Sequence, residues 1–453
     1  MTHPARALIE HYRYPATFLN ITLQDITDSD SGFFRFGTNA ICYGRSAAGY
    51  RSWRVDLALY EIDQHVRIGQ SEVCLPFDPT EIIENLQFER YQVREPWIRK
   101  LAKSAYYRVR PSLPRSIREE VQRFHLRGWH ALSFPHWPID VTVENIREEL
   151  LLLSLRAGGV DRIPFIWFWP EGCAASLMMT HDVETAAGRD ACRELMDMDD
   201  SYGIKASFNI VPQGSYSVSA DFLASIRDRG FEIGVQDLSH DGRLFDEHVE
   251  FRRRASLINQ YASEYDAKGF RSAVLYRRPE WLDALNFSYD SSIPNTAHLD
   301  PQRGGCCTVM PYFIGDMVEL PVTATQDYTL FHLLSERSIA LWKTQIRLIL
   351  EKNGLINFIV HPDYVTHEGV KGLYVDLLVC LQELYATRKI WHARPSEIDS
   401  WWRERSKMQL VRDGDGWRIE GRGSERAVVA YAKNQGGSLL YEMQPALSRS
   451  GLP

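Results

Sequence analysis

Between residues 166 and 405, apolar runs of strand length alternate with amphipathic stretches of helix length, and this alternation constrains the fold more than any other feature of the chain. "CAASLMMTHD" is an apolar run that ends in polar residues, and "AGRDACRELMDMDDSYG" has helical spacing and stops at Gly203. "IKASFNIVP" reads as a strand, and "SADFLASIRDRG" as a helix capped by Ser219 and ended by Gly230. "FEIGVQ", "FRSAVLY" and "LINFIVH" are further strands, separated by helical stretches such as "DEHVEFRRRASLINQYASEYDAKG" and "SERSIALWKTQIRLILEKNG". Strand and helix in strict succession give βαβ units, hence α/β class with a parallel sheet or barrel.

The flanks read differently. Residues 1–165 form an α+β region with short strands in "GFFRFGTNAICYGRS" and "HVRIGQSEVCLPFD". "DPTEIIENLQFERY" is a helix with Asp78 or Thr80 as its N-cap. Residues 106–140 are rich in Pro and Arg and read as an irregular adapter, with Trp137 in "FPHWPID" either a sugar-stacking platform or a ring clamped in a turn. Residues 406–453 carry DG, GDG and GG turn signals between short alternating strands, the pattern of a small antiparallel β unit.

Bulk numbers exclude some function classes. The net charge of −7 argues against a nucleic-acid or anionic-membrane partner, which would select a basic face. Seven cysteines without a CxxC spacing argue against a disulfide framework or a cysteine zinc site. The N-terminal stretch lacks a basic segment followed by an apolar run, and no apolar stretch has the length of a membrane span, so a soluble cytoplasmic protein is expected.

Catalytic groups in such barrels sit where strands end. The first strand end, "MTHDVE", offers Asp182 and Glu184 flanking one apolar residue; in an extended segment both face the same side. Paired acids there suit a proton acceptor and a metal ligand, although an acid-rich helix start would leave the same trace. "EIGVQDLSH" places His240 four residues after Gln236, "GFRSAV" supplies Arg271, and "NFIVHPDY" supplies His361. Two acids, metal-type ligands, an Arg and a His on successive strand ends are what metal-assisted hydrolysis of an amide or ester requires.

In their order these segments resemble the polysaccharide deacetylase family, the NodB homology domain or carbohydrate esterase family 4, over roughly residues 170–400. "MTHDVE" is similar to the first motif in its DVD/DVE form, which implies Asp182 as catalytic base and Glu184 as metal ligand. "FEIGVQDLSHDG" is similar to the second motif, with His240 on its second His and Gln236 on its first. "GFRSAV" resembles the third, whose Arg orients the base, here Arg271; "FIVHPDY" resembles the fifth, whose His is the general acid, here His361. "FSYDSSIP" and "ELPVT" resemble the segments between. The resemblance implies a distorted (β/α)7-type barrel, a divalent metal with zinc as first candidate, and hydrolytic removal of acetyl groups from an N-acetylated saccharide or glycoconjugate. It further implies Glu184, His240 and Gln236 as metal positions, and Asp237 and Tyr364 as substrate contacts.

Gln236 departs from the family pattern. An amide oxygen is a neutral, weaker ligand for zinc than imidazole, and catalytic zinc sites commonly use three protein ligands. Three readings follow: a hydrolase with an altered metal site in which Gln236, Asp237 or Asp241 fills in, a saccharide-binding pseudoenzyme, or an amidohydrolase for another non-peptide C–N bond. Keeping Asp182, Arg271 and His361 favours activity, because unpaired buried charge is costly.

Overall fold

The computed structural model describes residues 5–18, 20–26, 30–49, 52–55, 58–92, 115–387 and 389–444. The chain divides into two compact units, one made of Met1–Leu86, Thr142–Cys173 and Trp401–Pro453, the other of Gln87–Val141 and Ala174–Ser400. These units do not follow sequence divisions at 165/166 and 405/406. The reason is a long-range pairing: strand Arg162–Ile166 lies antiparallel to Val429–Gln435, which pairs in turn with Ser438–Met443. The tail and the segment just before the α/β region therefore make one sheet.

In the first unit, Gly32–Phe36 and Ala40–Gly44 form a hairpin, and Glu72–Leu75 lies between Ile21–Leu23 and Arg67–Gly69. Helix Pro79–Gln87 starts as expected, with Asp78 Oδ1 accepting the Thr80 N–H at 2.8 Å. Helix Thr142–Gly158 buries Val143, Ile146, Leu150, Leu151 and Leu153.

The second unit is an α/β barrel-like fold. Seven strands run parallel, in the order Met317–Glu319, Tyr289–Asp290, Gly269–Arg271, Glu232–Gln236, Ser207–Ile210, Ala175–Val183 and Leu355–Val360. Tyr312–Ile314 adds an antiparallel strand at one edge, and Ile390–His392 pairs with the first half of Ala175–Val183. The sheet curls until its ends meet at a seam laced partly by side chains. Ala324 N–H donates to Asn357 O at 3.0 Å, and Asn357 Nδ2 donates to the Leu320 and Pro321 carbonyls at 3.2 and 2.9 Å.

Period-two alternation along Ala175–Val183 decides what faces where. Leu177, Met179 and Val183 pack into the main core with Leu195, Ile226, Ile258, Ile346 and Leu377 from the surrounding helices. Thr180 and Asp182 therefore face inward. Thr185 caps the next helix, Ala186–Ser201, its Oγ1 accepting the Gly188 N–H at 2.9 Å, and Ser219 caps Ala220–Arg227 in the same way. Asp182 and Glu184 thus precede the helix rather than open it.

Residues 106–140, read as irregular, contain helix Arg115–His125 and a short turn of 3-10 helix at Trp129–Ala131; positions 106–114 lie outside the described residues. Trp137 stacks on His298 with ring centres 5.6 Å apart, and Gln345 Nε2 donates to the Pro138 carbonyl at 3.2 Å, which is the clamped arrangement.

Candidate active site

Strand register brings the inward-facing polar residues into one row. Asp182 is the register partner of Asn209, Asn209 of Gly234, and Gln236 of Arg271. Asn209 Nδ2 donates to Asp182 Oδ1 at 2.8 Å. Gly234 makes this possible, since a Cβ there would sit 2.2 Å from Asn209 Oδ1. Arg271 is buried with its Nε 4.0 Å from Asp182 Oδ1, and its Nη2 donates to Thr180 Oγ1 at 2.9 Å. The base candidate is thus held by an amide and faced by a fixed guanidinium.

Glu184 stands at the centre of the remaining groups. Its Oε1 lies 2.7 Å from His240 Nε2, 3.4 Å from His361 Nε2 and 3.0 Å from Gln236 Nε2, which also reaches Asp182 Oδ2 at 3.4 Å. Burial pushes the Glu184 carboxyl up, but the His240 and His361 imidazoles outweigh it and hold the group well below the usual carboxylate range. For His361, burial pulls the ring down, yet the Asp327 and Glu184 carboxylates win and hold it well above the ordinary histidine value. His361 is therefore an imidazolium near neutral pH, the form that can donate a proton.

Ligand atoms of Asp182, Glu184 and His361 all lie within 4.8 Å of one another, so the fold gathers a cluster able to hold a metal ion. This group shares Glu184 with the set Glu184, His240 and Gln236 expected from the sequence. Gln236 Oε1 is buried and without a hydrogen-bond partner among the described residues, whereas His240 Nε2 is engaged by Glu184 Oε1 at 2.7 Å. A carboxylate, an imidazole nitrogen and an unclaimed amide oxygen are a donor set that fits a divalent cation.

The two expected substrate contacts differ in setting. Asp237 is buried at positive φ, its Oδ1 accepting the Leu238 N–H at 2.6 Å, and burial pushes its carboxyl up to about 7. It stabilises its own loop. Tyr364 places its ring 5.0 Å from that of His361 and 5.5 Å from that of Tyr328, forming a wall beside the acid candidate. Asp241 is engaged by Arg254 at 2.9 Å.

Sequence reasoning missed two supports, Asn209 and Asp327. Asp327 sits before the helical turn Tyr328–Leu333 and holds both the ring and the backbone N–H of His361. Its only trace in the sequence is an acid following the "ELPVT" strand, and Asn209 is a polar residue inside the apolar run "IKASFNIVP".

No family model matches the chain, and no curated protein matches it. Solved structures do resemble part of it. One, named as a polysaccharide deacetylase from Mycobacterium smegmatis, is 18% identical with a TM-score of 0.43, over 52% of this chain and 93% of that one. A Puue allantoinase gives 10% identity and a TM-score of 0.41 over 52% and 92%. A probable polysaccharide deacetylase from Pseudomonas aeruginosa PAO1 gives 13% and 0.41 over the same shares. The matched part is about half of this chain and nearly all of each of those chains.

Proposed function

We propose that the protein is a metal-assisted hydrolase that removes acetyl groups from an N-acetylated saccharide or glycoconjugate. The observation that carries this reading is the convergence of a fixed carboxylate, a central metal-type carboxylate and a protonated histidine at one end of the barrel. Glu184, His240 and Gln236 would hold the cation, with zinc as first candidate. A bound divalent ion polarises the acetyl carbonyl and makes a water molecule more acidic.

The chain's own residues supply the proton transfers. Asp182 accepts the proton of the attacking water, and Asn209 with Arg271 orients its carboxylate. His361 delivers its Nε2 proton to the departing amine, while Asp327 anchors Nδ1 and fixes the ring. Tyr364 closes one side of the acid and limits the approach of water.

One observation favours a second reading. With Gln236 Nε2 turned toward Glu184 and Asp182, the amide bridges the two carboxylates as a cation would, which suits a metal-free saccharide-binding site. An assay of N-acetylated saccharides with and without added zinc or cobalt, run beside elemental analysis and Asp182→Asn, separates the two. Metal-dependent turnover lost in Asp182→Asn supports the hydrolase. Saccharide binding with neither metal nor turnover would sink it.

A further inference from the structure

Gln236 is buried at the end of strand Glu232–Gln236, and the end of its side chain lies between two carboxylates. Nε2 is 3.0 Å from Glu184 Oε1 and 3.4 Å from Asp182 Oδ2, while Oε1 is buried with no hydrogen-bond partner among the described residues. His240 Nε2 is 2.7 Å from the same Glu184 oxygen. His361 is set apart, because the proposed reaction uses its Nε2 proton. The remaining groups are two carboxylates, one amide and one imidazole, so oxygen donors outnumber nitrogen.

Donor type decides which cation such a set prefers. Imidazole suits zinc, whereas carboxylate and carbonyl oxygens suit magnesium and manganese. Catalytic zinc sites with a single carboxylate commonly pair it with two imidazoles. An amide oxygen in place of one imidazole therefore costs zinc more than it costs manganese. An amide also has two chemically different ends on a torsion that is broad and two-fold. The same side chain is thus able to give its N–H to the two carboxylates or its oxygen to a cation. A cation that leaves does not strand two facing negative charges, because the amide N–H bridges them.

We propose that Gln236 sets the metal selectivity of this site, narrowing zinc's advantage in favour of an oxygen-preferring divalent cation, manganese first. Zinc still binds; its margin shrinks. This deepens the metal-assisted reading, and rests on it for what the cation does but not for which cation is preferred.

The test is calorimetric titration of the metal-free full chain with manganese chloride and, separately, with zinc chloride, beside Gln236→His and Gln236→Glu. Bound manganese is also read by the loss of its free-ion electron paramagnetic resonance signal. Wild type should bind both cations. Gln236→His should raise the zinc-to-manganese affinity ratio about tenfold or more, mainly through tighter zinc. Gln236→Glu keeps an oxygen donor and should leave that ratio within about threefold of wild type. A wild type that binds zinc but not manganese, or neither, overturns the proposal, and this arm stands even where a variant fails to fold. A ratio unchanged in Gln236→His, or raised as much in Gln236→Glu, also overturns it. Manganese binding with the expected ratios but no hydrolysis of N-acetylated saccharides would keep the selectivity and remove the hydrolase reading, so the two fail separately.

Discussion

Asp327 grips His361 at two atoms: Oδ1 lies 2.7 Å from the ring Nδ1, and Oδ2 accepts the His361 backbone N–H at 2.8 Å. The contact fixes the ring's tautomer, its orientation and its charge together. Burial alone would leave the imidazole neutral; the carboxylates reverse that. A histidine raised in this way contributes stability that is complete below the unfolded value of about 6.5 and is lost as pH rises through the folded value.

Asp327→Asn keeps the shape and removes the charge. The His361 ring should then titrate at lower pH, followed by NMR on metal-free protein, and the stabilisation it provides should disappear at lower pH than in wild type. On the hydrolase reading, turnover at neutral pH should fall by about 100-fold or more, the contribution of a general acid. An unmoved titration would detach Asp327 from the acid's function.

Gln236→His tests whether the second motif is a weakened metal position. Imidazole in place of the amide should raise cation affinity at least about tenfold, since even outer-shell partners of a ligand change affinity by roughly 10–100-fold. Calorimetric titration with zinc checks this. A rise in turnover alongside affinity supports the altered-site reading, whereas tighter metal binding without turnover supports the saccharide-binding one.

The sequence was most informative where local pattern decides structure. The caps at Thr185 and Ser219 sit where short polar side chains precede amphipathic runs. Asp182, Glu184, Arg271 and His361 were legible as candidates because each lies at or just past the end of an apolar strand. Asn209 and Asp327 act through neighbours in space, and nothing in their flanking residues marks them. The unit boundaries escaped for a related reason: Arg162–Ile166 finds its partner in Val429–Gln435, and no local period records that pairing. Helix Arg115–His125 was missed because neighbouring prolines and arginines masked its apolar row.

The Glu89–Arg277 pair should dominate the stability of its region. Both side chains are buried; Arg277 Nε donates to Glu89 Oε2 at 2.6 Å, and a second contact joins Nη2 to Oε1. Glu89 also accepts the Gly305 N–H, where a Cβ would meet the Asn295 carbonyl oxygen at 2.3 Å. Glu89→Gln leaves a buried guanidinium without its counter-charge, so a loss of about 3–5 kcal/mol is expected in denaturant unfolding. Glu89→Gln with Arg277→Met should recover part of it, because neither charge then remains unpaired.

Asp290 and Glu319 give the clearest pH dependence outside the site. They are register partners on adjacent parallel strands and both are buried. Asp290 Oδ1 accepts from Ser292 Oγ and Glu319 Oε1 from the Ile293 N–H, while Asp290 Oδ2 and Glu319 Oε2 have no other donor. A proton shared between the two carboxyls satisfies both oxygens. Burial raises Asp290; burial and then the Asp290 charge raise Glu319 well above the carboxylate range, against the pull of Arg271. The sign follows from which state holds the proton. Above the unfolded value of about 4 the unfolded chain has lost it and the folded chain retains it, so stability falls as pH rises toward the folded value. Glu319→Gln replaces the shared proton with an amide N–H that can donate to Asp290. Denaturant unfolding followed from about pH 5 to about pH 8 should show a downward slope in wild type that is smaller in the variant, leaving the variant relatively more stable at the upper end. Equal slopes would mean that the pair does not hold a proton in the folded protein.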